Sequence, residues 1–595
     1  RFEDIQTETG KKILKPRESA TDSRLPVKHD GTKYASISEF TNYAQPELNI
    51  ISCTYIGEVF GGGYGKGAVM YASPTVNVNL KKGDDYGDTA VPAMMNSLGL
   101  SADAYANPNN VGIIRNVYGG GNAANVAGDT YVNIATKYLV KEVTADATLP
   151  EGCYTRSGEG TTASPFVYTP ASGTAQANVT YYEKSYAYII GSVFGGGNAA
   201  DVLGNTNVTM SDGYVFNGIF GGGYAGNVGT FTERSYTEKT YAGNIEFDHS
   251  THNDCIGKPT KCKAGTGKCT VLVNGGQIGP YTVATLGMNR PKAQDGPVPE
   301  GWVWGAGQGL VEDPAKEPDT HFKSYVGSTD VTIGGTAFVL ESIIGGGEFG
   351  RVLGDTKVTI TGNCQIGVGA GKVDANNKPI RYNDADFINP STATPEQINA
   401  KAALMPECSH FPYGEDTNND DIKDRFLPYD PYYDDFKETT YITQDHRDLS
   451  PASSAFPTDG KTWIGCVFAG GSGYMPYKKK DNNGNDVGYD WCSSAGLVEG
   501  NTNLTISGGH ILTNVYGGNE VTNVKGKCKV TMTGGTIGVP RTVQQIIDHP
   551  LTCYLFGAGK GDPRPHFNTE TNVGEVEVEI LGGIIYGSVF GGGED

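Results

Sequence analysis

The sequence predicts an all-β chain, a right-handed parallel β-helix or solenoid of about 26-residue coils with large loop insertions. Three observations predict it. First, a hydrophobic pair and glycine (Val117-Tyr118-Gly119, Val193-Phe194-Gly195, Ile219-Phe220-Gly221, Ile343-Ile344-Gly345, Val515-Tyr516-Gly517) is followed at fixed spacing by Val126, Val202, Val228, Val352 or Val524. Second, an alternating phrase opens on a glycine and recurs as Gly128 to Ile134, Gly204 to Met210, Gly327 to Ile333, Gly354 to Ile360, Gly500 to Ile506, Gly526 to Met532 and Gly574 to Ile580. Third, glycine supplies 85 of 595 residues, about twice the ~7% norm, with no collagen period.

Residues 1–50 fit no repeat. They are polar, with Pro16, Pro26 and Pro46, and read as an extended segment or a cap. The solenoid occupies 51–370. Alternation with period 2 marks strands, and each has an inner and an outer face. Thr206, Val208 and Met210 share the inner face, as do Thr356, Val358 and Ile360. The outer face carries Asn205, Asn207 and Thr209, or Glu575, Glu577 and Glu579. The three glutamates resemble an acid site, but their equivalents elsewhere are Asn, Thr or Lys, so they read as a solvated face. One coil is strand, Gly-Gly turn, short strand and glycine corner. Like residues of stacked coils form ladders, and no coil is stable alone. About nine or ten coils at ~4.8 Å make a rod core roughly 45 Å long. Parallel crossovers favour the right hand.

Insertions interrupt the coils at about 81–110, 136–188, 230–262, 280–301, 371–462, 475–497 and 538–552. Loops at equivalent corners project from one side, and that side is often where binding occurs. These loops are rich in tyrosine: Tyr168, Tyr181, Tyr182, Tyr186, Tyr188, Tyr236, Tyr241, Tyr429, Tyr432 and Tyr433. Such rings either stack on sugars and anchor partners, or cover the thin core. The segment 371–462 is the largest insertion. Thr394 as N-cap, Pro395 at the first position and Gln397 completing a capping box predict a helix through Ile398 to Met405. The solenoid resumes over 463–595. Val589–Asp595 stops in mid-repeat, which predicts either further coils or a partner docked on, or self-assembled through, the terminal coil, because a bare β-edge invites aggregation.

Asp416, Asn418, Asp420 and Asp424 alternate as the hard oxygens of a calcium loop do. They resemble the calcium loops of secreted bacterial proteins and thrombospondin-type repeats. Asp421 stands where a turn glycine is expected, and Leu427 at the twelfth position argues against an EF-hand. Two readings stand, calcium as a cofactor or a solvated acidic loop. Asp481 to Asn485 reads as a hairpin tip. His249, His252 and Cys255 have transition-metal donors in a polar loop, where coincidence is the simpler reading. Eleven cysteines lack any C-x-x-C pattern. Cys269 and Cys528 take the inner ladder position of Thr or Val, so they read as small buried residues. Cys255–Cys262 and Cys466–Cys492 are candidate disulfides.

A net charge of −20 argues against nucleic acid or an anionic membrane as partner. No run of 18 apolar residues predicts a membrane span, and Arg1 opens no visible secretory signal. Hydrolases of the β-helix class carry N-T-D, G-H-G and R-I-K strings, and none occurs here. No Ser elbow, P-loop or H-E-x-x-H is present either, and the coils concentrate no acid pair of the kind glycosidases need.

The phrases Val193-Phe-Gly-Gly-Gly-Asn198 and Gly204-Asn-Thr-Asn-Val-Thr-Met210 resemble those of long β-solenoid surface proteins of gut Bacteroidota. The resemblance covers about half the chain, all of it scaffold. It implies a secreted, extracellular or cell-surface protein, adhesin-like or filament-like. The inserted loops are read, from their tyrosines, as its contacts with glycan or protein partners. A carbohydrate-active enzyme on the same scaffold is the competing expectation.

Overall fold

The computed structural model of the chain describes residues 5–8, 11–14, 46–79 (except 52 and 54), 110–235 (except 160–162 and 165), 261–279, 301–309, 324–405 (except 370, 371, 373, 376 and 377), 463–473, 477–480, 486–490, 495–542, 553–561 and 571–594. The described residues are almost all β, and most strands join one large parallel assembly. Three parallel ladders run through it.

The first ladder stacks the strands of the glycine-opened phrase. Glu47–Ile50, Thr75–Val78, Thr130–Ile134, Thr206–Met210, Lys268–Val273, Ser328–Ile333 and Thr356–Ile360 pair in that order. Thr502–Ile511, Val524–Ile537 and Val573–Ile580 continue it. The second ladder stacks short strands after the turn: Ile189, then Tyr214–Val215, Gln277–Ile278, Phe338–Val339, Gln365–Ile366, and then the later parts of Thr502–Ile511 and Val524–Ile537. The third is built from the hydrophobic pairs themselves. Ser192–Phe194, Gly218–Phe220, Trp302–Trp304, Ile343–Ile344, Val467–Phe468, Val515–Tyr516, Leu555–Phe556 and Val589–Phe590 stack in turn. The pair is therefore a rung in its own right, and the bend comes only at the glycines after it. The valine at fixed spacing makes a single-residue bridge to the next coil, as in Val126–Val202–Val228 and Val352–Val498–Val524.

Alternation decides what is buried. Thr206, Val208 and Met210 are buried while Asn207 and Thr209 are not. Inner residues of the three ladders, Val208, Met210, Val215 and Ile219 among them, form one core along the stack. In the third ladder the first member of each pair from Val193 to Leu555 enters this core, whereas Val589 and Phe590 of the last pair are exposed. The second member of the others joins a separate buried aromatic stripe. Tyr118, Phe194, Phe220 and Trp304 stack face to face with centroids 4.9, 4.8 and 4.4 Å apart. Phe468, Tyr516, Phe556 and Phe590 continue at 4.6, 5.2 and 5.0 Å. These separations match the strand spacing of a sheet, so coil stacking imposes them.

Two side-chain devices tie the coils. Thr130, Thr206, Thr329 and Thr356 donate from buried hydroxyls, each at 2.6 Å, to the backbone carbonyl of the residue after a hydrophobic pair: Gly195, Gly221, Gly345 and Ala469. Asn and Asp on the outer edge accept from the backbone N–H of the equivalent residue one coil on. Asp129 takes Asn205 at 2.7 Å and Asn205 takes Lys268 at 2.9 Å. Asp201 takes Asn227 at 2.9 Å, and Asn227 takes Tyr325 at 2.9 Å.

Close approach explains the recurrent glycine. A Cβ on Gly195 would lie 2.2 Å from the Gly221 carbonyl oxygen, and one on Gly221 would lie 2.1 Å from that of Gly305. Cys269 and Cys528 are fully buried on the inner face, as expected. Cys466 is a free thiol, 3.1 Å from the Thr513 hydroxyl, and Cys492, its candidate disulfide partner, lies outside the described residues. The Cys255–Cys262 pair lies outside the described residues. The acidic face is exposed, as expected, and is also paired. Glu575, Glu577 and Glu579 face Lys527 and Lys529 of the coil before, at 3.0 Å for Lys527–Glu575, 2.5 Å for Lys529–Glu577 and 3.2 Å for Lys529–Glu579. It is a charge ladder between coils.

The insertion at 136–188 folds as an antiparallel sheet. Lys137–Lys141 and Cys153–Ser157 both pair with Tyr181–Ile189, and Val167–Pro170 pairs with Cys153–Ser157. Leu149, Cys153, Ala175 and Tyr181 form its own small core. In the later insertion a helix spans Pro395–Ala402. Thr394 caps it, and both capping-box bonds are present: Gln397 N–H to Thr394 Oγ1 at 3.3 Å and Thr394 N–H to Gln397 Oε1 at 2.9 Å. The helix ends before the expected Met405, which instead lies buried against Tyr382, Phe387 and Leu512.

Candidate functional site

The alternating pattern of the inserted sheet puts Tyr138, Tyr154, Tyr168, Tyr182, Arg156 and Lys184 on one face. The register fixes this, with Tyr182 opposite Tyr154, Lys184 opposite Tyr138 and Tyr168 opposite Arg156. Tyr138 and Tyr168 stack at 3.7 Å. Tyr154 meets Tyr138 edge-on at 5.2 Å, and Tyr182 meets Tyr168 edge-on at 5.3 Å. The same strand carries the row onto the solenoid. Tyr186 and Tyr188 contact Tyr214 of the second ladder at 5.2 and 5.1 Å. Tyr182 and Tyr214 are buried, whereas Tyr138, Tyr154, Tyr168, Tyr186 and Tyr188 keep part of their surface in water.

Cations are set among the rings. The Lys184 ammonium lies 5.6 to 5.9 Å from the centroids of Tyr154, Tyr186 and Tyr138. Burial pulls its pKa down, but Asp212 at 2.9 Å, with Tyr186 and Tyr138, outweighs this and holds it above the ordinary value. Arg156 covers Phe166 at 4.1 Å and Tyr182 at 5.0 Å. Lys378, from the later insertion, donates to the Tyr214 hydroxyl at 2.8 Å. Burial pushes the Tyr186 phenol up to about 12 and raises that of Tyr138. These phenols stay neutral at ordinary pH. The belt offers ring edges, phenol hydrogen bonds and fixed positive charge.

Of the tyrosines singled out in the sequence, the structure brings Tyr168, Tyr182, Tyr186 and Tyr188 together. Tyr181 points to the other face and its small core. Tyr236, Tyr241, Tyr429, Tyr432 and Tyr433 lie outside the described residues. Tyr138, Tyr154 and Tyr214 were not singled out. Tyr138 and Tyr154 lie within the same tyrosine-rich insertion, and Tyr182 to Tyr188 already repeat with period 2, which is the signal that a strand face was involved. The calcium candidates Asp416, Asn418, Asp420 and Asp424 also lie outside the described residues, as do His249, His252 and Cys255 and the 481–485 hairpin tip. Among the described residues no group of three or more His, Cys, Asp or Glu is placed to hold a metal ion, and no helix is long and apolar enough to cross a membrane. The chain matches no protein-family model, no curated protein and no solved structure.

Proposed function

We propose that this chain is an extracellular structural or adhesive β-solenoid of a bacterial cell surface that binds a glycan or protein partner through its inserted elements. One observation carries the reading. The inserted sheet gathers partly exposed tyrosines and cations on a single face and joins them to the solenoid at Tyr214. Aromatic groups with a polar tip are enriched where proteins meet partners, because one end is apolar and the other wet. In its finer form the scaffold is a right-handed helix of about 26-residue coils, supported by staples that bridge 26 residues, such as Asp201 to Asn227 and Asn501 to Lys527.

The test is a glycan array read for both retention and product formation, with a panel of surface proteins in parallel. Retention without products, lost in a Tyr138→Ala/Tyr168→Ala variant that keeps its fold, is the expected result. Product formation would replace the binding reading with the enzymatic one. Retention unaffected by the double variant would remove the belt from it.

A further inference from the structure

Residues 378–388 run across the outer side of the second ladder and are tied to successive coils. Lys378 holds Tyr214 at 2.8 Å. Arg381 donates to the carbonyls of Thr336 and Asn363, and Tyr382 N–H donates to Gln365 Oε1 at 2.8 Å. Asp384 accepts from the Asn363 amide at 2.9 Å. The Ile388 carbonyl accepts from the Tyr586 hydroxyl at 2.7 Å. Tyr214, Gln365 and His510 are register partners along one ladder, so the segment lies lengthwise on the stack. Beneath it, Tyr382, Phe387 and Met405 pack on Leu512, Val539 and Cys553.

One titratable group sits in the middle of this strap. The His510 ring is stacked on Phe387 at 3.7 Å. Its Nδ1 is 2.8 Å from Thr536 Oγ1 on the next coil, and its Nε2 is 3.3 Å from Asp384 Oδ1 on the strap. A neutral ring with the proton on Nε2 satisfies both contacts, donating to Asp384 and accepting from Thr536; a second proton would keep both contacts but bury a charge on a ring nearly out of water against Phe387, with Asp384, itself more than half exposed, as a screened partner.

We infer that residues 378–405 form an axial strap whose His510 contact is an acid-sensitive latch, so that acidification loosens the strap and bares the apolar surface beneath it. The charged groups facing the ring are Asp384 and Arg381, both from the strap; Thr536 and Gln365 face it from the coils. Burial lowers the His510 pKa below its ordinary 6.5, Asp384 raises it and Arg381 lowers it further, with a net downward result. A released strap returns His510 to the ordinary value. The docked state then binds fewer protons than the released one. Docking is strongest above about pH 6.5 and weakens as pH falls below it.

Amide exchange of the full chain, corrected for the intrinsic pH dependence of exchange, tests this at about pH 7.5 and about pH 5. Protection of 378–405 is expected to fall several-fold at the lower pH, with a rise in binding of an apolar dye. Thr502–Ile506 stays protected and reports the intact stack. His510→Gln abolishes the pH response. Tyr586→Phe cuts the far tie without removing a group that titrates in this range, so it lowers strap protection equally at both pH values. Equal protection of the wild-type strap at both pH values overturns the inference. So does a wild-type pH response that survives in His510→Gln, or a loss shared by Thr502–Ile506.

Discussion

Replacing Gly195 by alanine tests the glycine rung directly. The new Cβ would sit 2.2 Å from the Gly221 carbonyl oxygen, which is backbone and cannot swing aside. Relieving the clash means parting two coils where Gly195 N–H meets Phe220 O at 2.9 Å and Gly196 N–H meets Gly222 O at 3.0 Å. The Thr206 hydroxyl bond to that same Gly221 oxygen is strained with them. Overpacking costs about 1–3 kcal/mol, and each weakened hydrogen bond adds up to about 1 kcal/mol. A local loss of about 2–4 kcal/mol follows. Ala469 holds the equivalent rung between Ile344-Gly345 and Tyr516-Gly517, so a methyl is accepted where the neighbouring coil is set for it. The internal control is Gly591, whose added Cβ meets nothing within 4 Å. There alanine should be neutral or stabilising by about 0.4–1 kcal/mol, through the unfolded chain. Stacked coils unfold piecemeal, so one melting temperature is a poor readout. Amide exchange over 192–222 is the suitable assay. Unchanged protection there in Gly195→Ala, or an equal loss from Gly591→Ala at its own coil, would refute the close-approach argument.

Thr206→Val keeps the shape but strips the donor from the buried Gly221 carbonyl, and should cost about 1–3 kcal/mol in the exchange stability of that coil. Glu577 is held down at about 2 by hydrogen bonds from Lys527 and Lys529. The stabilisation from this exposed ladder is therefore full above the ordinary carboxylate range and is lost as pH falls from about 4.5 through about 2. High salt should mimic part of that loss, and Glu577→Gln should abolish its share of the acid response in the last coils. Burial raises the thiol pKa of Cys269 to about 12, and those of Cys364, Cys466 and Cys528 to about 11. None of these four should react with an alkylating reagent at about pH 8 until the chain is unfolded, as mass mapping of the labelled protein would show.

The scaffold was legible because its signals are local. Thr206, Val208 and Met210 alternate with polar residues over a few positions, and Thr394 and Gln397 cap their helix within one turn. What was hidden lies between coils. Asn205 read as part of the outer face, yet it holds a backbone N–H of the next coil, as Asp129 does for Asn205 itself. Thr206 read as an inner-face residue, but the partner of its hydroxyl, the Gly221 carbonyl 15 residues on, does not show within its own strand. Glu577 read correctly as solvated, but its pairing was hidden because Lys529 comes from a coil 48 residues earlier, across an insertion. The belt was half legible for the same reason. Tyrosine abundance is visible in one segment, whereas Tyr138 against Tyr168 depends on antiparallel register, and Tyr188 against Tyr214 on stacking.

The Thr and Asn/Asp staples have a mechanical consequence. Their bonds, like those of the ladders, run along the stack, from each coil to the next. A pull along the rod therefore loads every bond of an interface at once. Peeling the chain sideways from one end breaks the same bonds one after another. Tethered at its ends, such a rod should bear steady tension well, yet unwind coil by coil when a free end is caught and drawn away at an angle.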